Sequence, residues 1–220
     1  MPAFRSEPAA KRSSSIPSSR PTHSRERSGV EKIAADYILI SHGHGDHVAD
    51  VTKIANRTGA TVIAPYEVGS WFEGKGVKNI QSLNHGGATK TDFGRVKLTA
   101  AIHSSSMPDG SYGGNPCGFV IESSDGNFYY SGDTALTMDM KLIGETTKLR
   151  FAVFPIGDFF TMGIEDALRA ADFVKVGKII GVHYDTFPPI TVDHAAVLKA
   201  AGDAGIELLL PAIGESVEIQ

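Results

Sequence analysis

Short apolar runs alternate with amphipathic segments along most of the chain, and this alternation predicts an α/β protein whose sheets are covered on both faces. Apolar and alternating runs predict strands at 61–64, 95–102, 117–122, 127–131, 151–154, 178–182 and 207–210. Apolar positions spaced three and four residues apart predict helices at 49–56, 66–72, 164–174 and 192–201. Asp125-Gly126-Asn127 predicts a hairpin turn before the strand at 127–131, because Asp-Gly tolerates the positive φ that such turns need.

The first 29 residues break this pattern. They contain Ser-Ser-Ser, four prolines and five arginines, and they show no strand periodicity. A polar, proline-broken segment has little to bury, so we expect a disordered or atypical leader at 1–29 and one folded domain at 30–220. An organelle transit peptide and a rearranged gene start are alternatives, although the prolines argue against the amphipathic helix that a transit peptide needs.

The segment 41–47, Ser-His-Gly-His-Gly-Asp-His, carries the strongest chemical signal and directly follows the apolar run 37–40. Imidazole and carboxylate are ligands that zinc, iron and manganese accept. On an extended backbone His42 and His44 point to the same side, and the two glycines let the chain turn so that Asp46 and His47 face a second point. The segment therefore predicts ligands for two metals. A His-rich surface tract without function is the alternative, but this one lies between a buried strand and an amphipathic helix.

Four residues cannot fill two coordination shells, so further ligands are expected from distant parts of the chain. His103 follows the predicted strand at 95–102, Asp133 follows an aromatic strand and Ser-Gly, and His183 follows the apolar run 178–182. Each comes just after a strand, which is where α/β proteins place chemistry. We expect these residues at the same edge of a sheet.

Together these motifs resemble the metallo-β-lactamase superfamily: His-x-His-x-Asp-His, then a His, then Ser-Gly-Asp, then Gly-Val-His. Further segments are similar to the bacterial metal-dependent hydrolases near the ascorbate-6-phosphate lactonase branch; they are 102–106, 114–116, 130–134, 155–158 and 186–189. The resemblance runs from about residue 30 to the C-terminus. Family members normally begin with two or three strands before the metal motif, and 1–29 shows none.

The resemblance implies an αββα sandwich, two sheets packed face to face with helices outside, and we expect it here without the usual N-terminal strands. The ligand set that it implies is His42, His44 and His103 for one metal, Asp46, His47 and His183 for a second, and Asp133 bridging the two.

The resemblance and the ligand set also imply an enzyme, a metal-dependent hydrolase. Two divalent ions, zinc with manganese or iron as alternatives, would activate a bridging water that attacks a small ester, lactone or phosphorylated metabolite. Asp46 and Asp133 are the catalytic candidates, because Asp46 can orient the water and Asp133 can hold the spacing of the metals. A phosphodiesterase or nuclease of the same superfamily and a metal-binding scaffold without turnover are the alternatives.

Composition and charge limit the classes of partner that the chain is expected to bind. The chain has 220 residues, 41% of them hydrophobic, and suits one ordinary soluble domain. Its formal net charge is −4, and the leader is basic, so the folded part is more acidic still and disfavours nucleic acid. No apolar run is long enough for a membrane span, and a single cysteine fits a reducing compartment, so we expect a cytoplasmic protein. A small-molecule substrate and a possible homo-oligomer are the expected partners.

Other reactive side chains favour structural roles. Cys117 lies in a predicted strand and is expected in the core, and His85 is expected in a loop. His194 opens a helix for which Thr191 or Asp193 can act as N-cap. The serines at 104–106 have no base and orienting group spaced for a triad, so they are expected to hydrogen-bond ligands or substrate.

Asp158, Tyr184 and Asp185 lie just beyond strand ends near the predicted ligands. Each is a candidate proton donor to the leaving group. The alternative is support of the site, in which a carboxylate accepts the free N–H of a ligand histidine and fixes its orientation.

Overall fold

The computed structural model describes residues 3–4 and 29–219, and the chain divides into two compact units. The first unit contains the chain up to Asn84 together with Ser104–Asn115 and the segment from Pro211 onward. The second unit contains His85–His103 and Pro116–Leu210. Each unit has its own sheet and its own hydrophobic core.

The first unit is built on a four-stranded sheet with the strand order β1-β2-β3-β4. Its strands are β1 (Ala3–Phe4), β2 (Tyr37–Leu39), β3 (Thr61–Pro65) and β4 (Ile80–Leu83). Strands β2, β3 and β4 are parallel, and β1 is antiparallel to β2. The helices are α1 (Gly45–Val48), α2 (Val51–Thr58) and α3 (Tyr66–Gly74), and a 3₁₀ turn covers Val30–Lys32.

The predicted leader at 1–29 lies outside the described residues apart from β1 and Gly29. No strand was expected in it, and this expectation is wrong at Ala3 and Phe4, which pair with Ile38 and Tyr37. The reason is that a two-residue pairing needs only backbone hydrogen bonds and leaves no periodic signal in the sequence.

Helix α2 shows how the sequence specifies the first unit. Val51, Ile54 and Ala55, at helical spacing, are buried in the core. The helix ends at Gly59, whose φ of 73° is the left-handed conformation that terminates helices and that glycine adopts without steric cost. The helix predicted at 49–56 is therefore present, with both ends two residues later in the chain.

The second unit is built on a seven-stranded sheet with the strand order β11-β10-β9-β8-β7-β6-β5. Its strands are β5 (Ala88–Thr91), β6 (Gly94–Ala100), β7 (Cys117–Glu122), β8 (Phe128–Tyr130), β9 (Phe151–Pro155), β10 (Lys178–Val182) and β11 (Glu207–Leu209). The helices are α4 (Asp139–Thr146), α5 (Ile164–Val174) and α6 (His194–Asp203). The core includes fully buried Tyr129 and Phe154, whose rings meet edge to face.

Strand direction in this sheet decides where polar residues can gather. Strands β8 to β11 are mutually parallel, and β6 runs in the same direction because antiparallel β7 separates it from β8. The segments that follow β6, β8, β9 and β10 therefore all leave the sheet at one edge.

In the described residues no helix is long and apolar enough to cross a membrane.

Besides β1, the sequence did not predict α1, β4, β5 or α4. Strand β5 reads Ala-Thr-Lys-Thr, without a large apolar side chain, and lies at the edge of its sheet. Helix α4 contains Gly144, which lowers helix propensity. A Cβ at Gly144 would overlap the carbonyl oxygen of Phe173, so close packing of α4 on α5 requires glycine there and overrides the propensity.

The two glycines of the 41–47 segment have different roles. A Cβ on Gly43 would lie 2.5 Å from Sδ of Met107 and 3.0 Å from the carbonyl oxygen of Ser106, so glycine is required there by close approach. Gly45 has nothing within 4 Å of its Cβ position and begins α1 without a positive φ. The expectation that both glycines make the turn is therefore wrong for Gly45, because the start of a helix turns the chain.

We predict opposite effects for two alanine substitutions. Gly43→Ala should lower the free energy of unfolding by about 1–3 kcal/mol, since Met107 is buried and has to move. Gly45→Ala should leave it unchanged or raise it by up to about 1 kcal/mol, because alanine favours a helix. Urea unfolding of the two variants beside the wild type measures both effects. Equal stability of the two variants would contradict the close-approach argument.

Candidate functional site

Strand β2 delivers the first pair of candidate ligands in the first unit. His42 is fully buried, and its Nε2 lies 3.0 Å from Nδ1 of His44. Oγ of Ser41 lies 3.0 Å from Nδ1 of His42, which fixes the ring and turns Nε2 toward His44. Sequence reasoning missed this role of Ser41, although its place beside the first histidine was a usable signal.

Helix α1 delivers the second pair. Nε2 of His47 lies 3.3 Å from a carboxylate oxygen of Asp46, and the ring of His47 packs 4.1 Å, centroid to centroid, from that of His42. His47 is buried whereas Asp46 is exposed. The predicted residues of the 41–47 segment therefore form one contiguous group, here called the first-unit cluster.

The serines after β6 support this cluster. Oγ of Ser104 lies 3.3 Å from Nε2 of His44. Oγ of Ser105 accepts a hydrogen bond from the Gly43 amide at 3.1 Å and donates one to the Gly113 carbonyl at 2.8 Å. The expectation that these hydroxyls hydrogen-bond candidate ligands is confirmed for Ser104.

The second-unit cluster is centred on Asp133, which follows β8. Nε2 of His183 lies 3.1 Å from one of its carboxylate oxygens, and Nε2 of His103 lies 3.8 Å from the same oxygen. Asp133 and His183 are both buried. A buried carboxylate between two imidazoles is a strongly polar group in an apolar sheet, and such a group has to be compensated by protons or by a cation.

The backbone around His183 is shaped for this position. His183 itself has a φ of 57°, in the left-handed region that non-glycine residues seldom adopt. A Cβ at Gly157, after β9, would overlap the His183 carbonyl oxygen, so only glycine allows the two loops to approach this closely. Sequence reasoning did not assign Gly157 any role, and a glycine directly after a buried strand was the available signal.

The donor sets fit divalent metal ions. Two ligands on one tetrahedral zinc, each about 2.0–2.1 Å from the ion, lie about 3.3–3.4 Å from each other. Within the two clusters the candidate ligand atoms lie 3.0, 3.1, 3.3 and 3.8 Å apart. Neutral imidazole nitrogens and carboxylate oxygens at these separations form the chemistry that zinc, manganese and iron accept.

The seven predicted site residues are therefore divided between the units. His42, His44, Asp46 and His47 lie in the first, and His103, Asp133 and His183 in the second. The expectation of one sheet edge is confirmed for the last three. The other four follow β2, which belongs to a separate sheet.

In the second unit, Asp185 and His194 form a pair close in sequence to His183. Oδ2 of Asp185 lies 2.5 Å from Nε2 of His194, and Oδ1 accepts a hydrogen bond from the Val192 amide at 3.0 Å. These contacts hold the loop after β10 to the start of α6, so Asp185 supports the loop of His183. Burial, and to a lesser degree the charge of Asp185, raises the pKa of Tyr184, so its phenol stays protonated near neutral pH.

The remaining reactive side chains have structural surroundings. Asp193 caps α6, accepting hydrogen bonds from the amides of Ala195 and Ala196, which confirms one of the two expected caps. Cys117 is fully buried in β7, and burial raises the pKa of its thiol well above the usual range, so it is a core residue as expected. Nε2 of His85 lies 2.9 Å from the carbonyl oxygen of Pro116, which anchors its loop.

Comparison with known proteins agrees with this chemistry. The family model described as a beta-lactamase superfamily domain matches residues 14–184. A UPF0173 metal-dependent hydrolase of Christiangramia forsetii is 51% identical over 196 residues, which cover 89% of this chain and 86% of that one. A homologue of the same name from Thermus thermophilus is 44% identical over 179 residues, covering 81% and 79%.

Solved structures show the same fold. Igni18, described as a novel metallo hydrolase from Ignicoccus hospitalis, has a TM-score of 0.76 at 33% identity, with 86% of this chain and 81% of that one covered. An isothiocyanate hydrolase from Delia radicum gut bacteria has a TM-score of 0.68 at 22% identity, with coverages of 86% and 78%, and this likeness shows the fold alone. The chain therefore belongs to the metallo-β-lactamase superfamily and, within it, to the UPF0173 metal-dependent hydrolases.

Proposed function

We propose that this metal-dependent hydrolase acts on a small ester, lactone or phosphorylated metabolite, with a water held between two divalent ions as the nucleophile. The observation that carries the proposal is the spacing of ligand atoms in each cluster, 3.0–3.8 Å, which suits atoms that share an ion. Zinc is the first choice of metal, with manganese or iron as alternatives.

The proposed ligands are the seven residues of the two clusters. One ion would take His42, His44 and His103, the other would take Asp46, His47 and His183, and Asp133 would serve both. When bound, two such ions lower the pKa of a water between them and polarise the oxygen of the electrophile.

The protein side chains have separate tasks in this proposal. Asp133, buried and close to two imidazoles, supplies negative charge that cannot turn away into solvent. Asp46 is exposed, so its carboxylate can accept a hydrogen bond from the attacking water and orient it. The hydroxyl of Ser104 holds His44 in position. Tyr184, protonated near neutral pH, can donate a proton to the leaving group.

Two alternative functions make predictions that differ from those of this proposal. A phosphodiesterase or nuclease needs a basic surface for its polyanionic substrate, whereas this chain carries a net charge of −4. A metal-binding scaffold would load the same ions and turn over nothing.

The first prediction concerns metal content. The wild-type protein, saturated with zinc or manganese and freed of excess metal, should retain about two ions per chain by elemental analysis. Asp133→Ala should lose most of both ions together, because the shared ligand is gone. Asp133→Asn keeps the shape and tests the charge alone, and exposed Asp139→Ala is the matched control and should retain two. Loss of only one ion in Asp133→Ala would assign Asp133 to a single site.

The second prediction concerns turnover. Asp46→Ala should lower the rate on the best ester, lactone or phosphodiester by roughly 100-fold or more, while the ion proposed for His42, His44 and His103 stays largely bound. Glu73→Ala, which removes an exposed carboxylate from α3, should retain full activity. Full activity of Asp46→Ala would refute the proposed role. Two bound ions without turnover of any of these substrate classes would favour the scaffold.

A further inference from the structure

Three phenylalanines of the second unit are exposed or half-buried and touch one another. Phe159 is 70% exposed and Phe160 is 49% exposed, although phenylalanine is usually buried. The rings of Phe159 and Phe160 lie 4.7 Å apart, and those of Phe160 and Phe187 lie 5.8 Å apart, centroid to centroid. We call Phe159, Phe160 and Phe187 the aromatic patch.

The backbone holds two of these rings outward. Asp158 has a φ of 58° and Phe159 a φ of 22°, values that residues other than glycine rarely adopt. The loop is closed by a bridge between Gly157 and Gly163 and by a hydrogen bond from the Asp158 amide to the Met162 carbonyl at 3.1 Å. Strained backbone of this kind persists where the surrounding structure enforces it, and it clusters at functional sites.

The aromatic patch lies beside the second-unit cluster. The Met162 amide donates to the Thr134 carbonyl at 3.0 Å, which ties the patch loop to the residue after Asp133. Gly157, at the other end of the loop, packs against the His183 carbonyl. Phe187 belongs to the loop that begins at His183. The patch is therefore joined by backbone to both ends of the Asp133–His183 pair.

The charge of these loops limits what they can bind. Segments 157–163 and 183–194 contain no lysine or arginine, and they contain the acidic residues Asp158, Asp185 and Asp193. These loops therefore offer a phosphate group no lysine or arginine, the side chains that commonly recognise it. An uncharged apolar group would gain from covering the three rings.

We propose that the aromatic patch binds the apolar acyl or aryl part of a carboxylic ester or lactone, and so selects such substrates over phosphorylated metabolites. This inference rests on the proposed function, because it assigns a substrate class to the same hydrolytic site. The occupant is the substrate, and a second copy of the chain on the patch is an outcome that the test distinguishes.

The experiment is an acyl-length series with the metal-loaded protein. The kcat/KM for 4-nitrophenyl acetate, butyrate and hexanoate should rise by roughly tenfold or more across the series, since each methylene adds apolar area to bury. In the double variant Phe159→Ser and Phe160→Ser the rise should disappear, with metal content unchanged and the acetate rate within about twofold of wild type. Leu142→Ser, which removes a 60% exposed apolar side chain from α4, is the matched control and should keep the rise.

Binding of the product anion separates this inference from the proposed function. Calorimetry should show that hexanoate binds the wild type more tightly than acetate and that the double variant loses this preference. If no ester, lactone or phosphodiester is hydrolysed but the preference holds, the proposed function fails and the patch remains an apolar binding site. An equal acyl-length dependence in wild type and double variant, or a preference for phosphorylated substrates, would overturn the inference. So would a concentration-dependent dimer that the double variant abolishes while its acyl-length dependence is unchanged.

Discussion

The carboxylate of Asp133 has to be compensated because it is buried in the second unit, where an isolated negative charge is very costly. Two imidazoles approach it to 3.1 and 3.8 Å, and they come from the ends of β10 and β6. This contact is possible only if β6, β8 and β10 end at one edge. The parallel pairing of β8, β9 and β10, and the antiparallel strand between β6 and β8, satisfy that condition. The polar centre and the sheet topology therefore depend on each other.

In the first unit, the candidate ligands all come from one short segment, 41–47, and they also have to be held in place. The imidazole nitrogens of His42 and His44 lie 3.0 Å apart, so they can share one proton or one cation but cannot both carry a proton into the contact. The rings remain in place because Ser41, Ser104 and the glycine contact at Met107 hold the segment. Hydrogen bonds and packing thus orient His42 and His44, and a site prepared for a divalent ion needs ligands oriented in this way.

The sequence predicted what depends on local periodicity and strand ends. The bounds of β7, α5 and β10 agree with the predicted ranges, because their apolar runs are long and sharply ended. The association of Asp133 with His103 and His183 was also predictable, since residues after neighbouring strands meet at one edge. The division of the candidate ligands between two sheets was not, because a strand pattern gives the order of strands and not their pairing. The aromatic patch was not predictable either, because phenylalanine is usually buried and because the positive φ values at Asp158 and Phe159 occur at residues other than glycine.

Strand β9 lies between β8 and β10 in the sheet, and its loop carries Phe159 and Phe160 but none of the seven candidate ligands. The ligand-bearing loops flank it on either side. Mutations in this middle loop can therefore change which molecules are recognised while the flanking loops keep the chemistry, so that substrate preference and reactivity can evolve separately. The hydrogen bond from the Met162 amide to the Thr134 carbonyl and the contact of Gly157 with His183 link this loop to its neighbours, and the latter leaves no space for a side chain at 157. Substitutions that change substrate preference are therefore expected at Phe159 and Phe160, and not at Gly157.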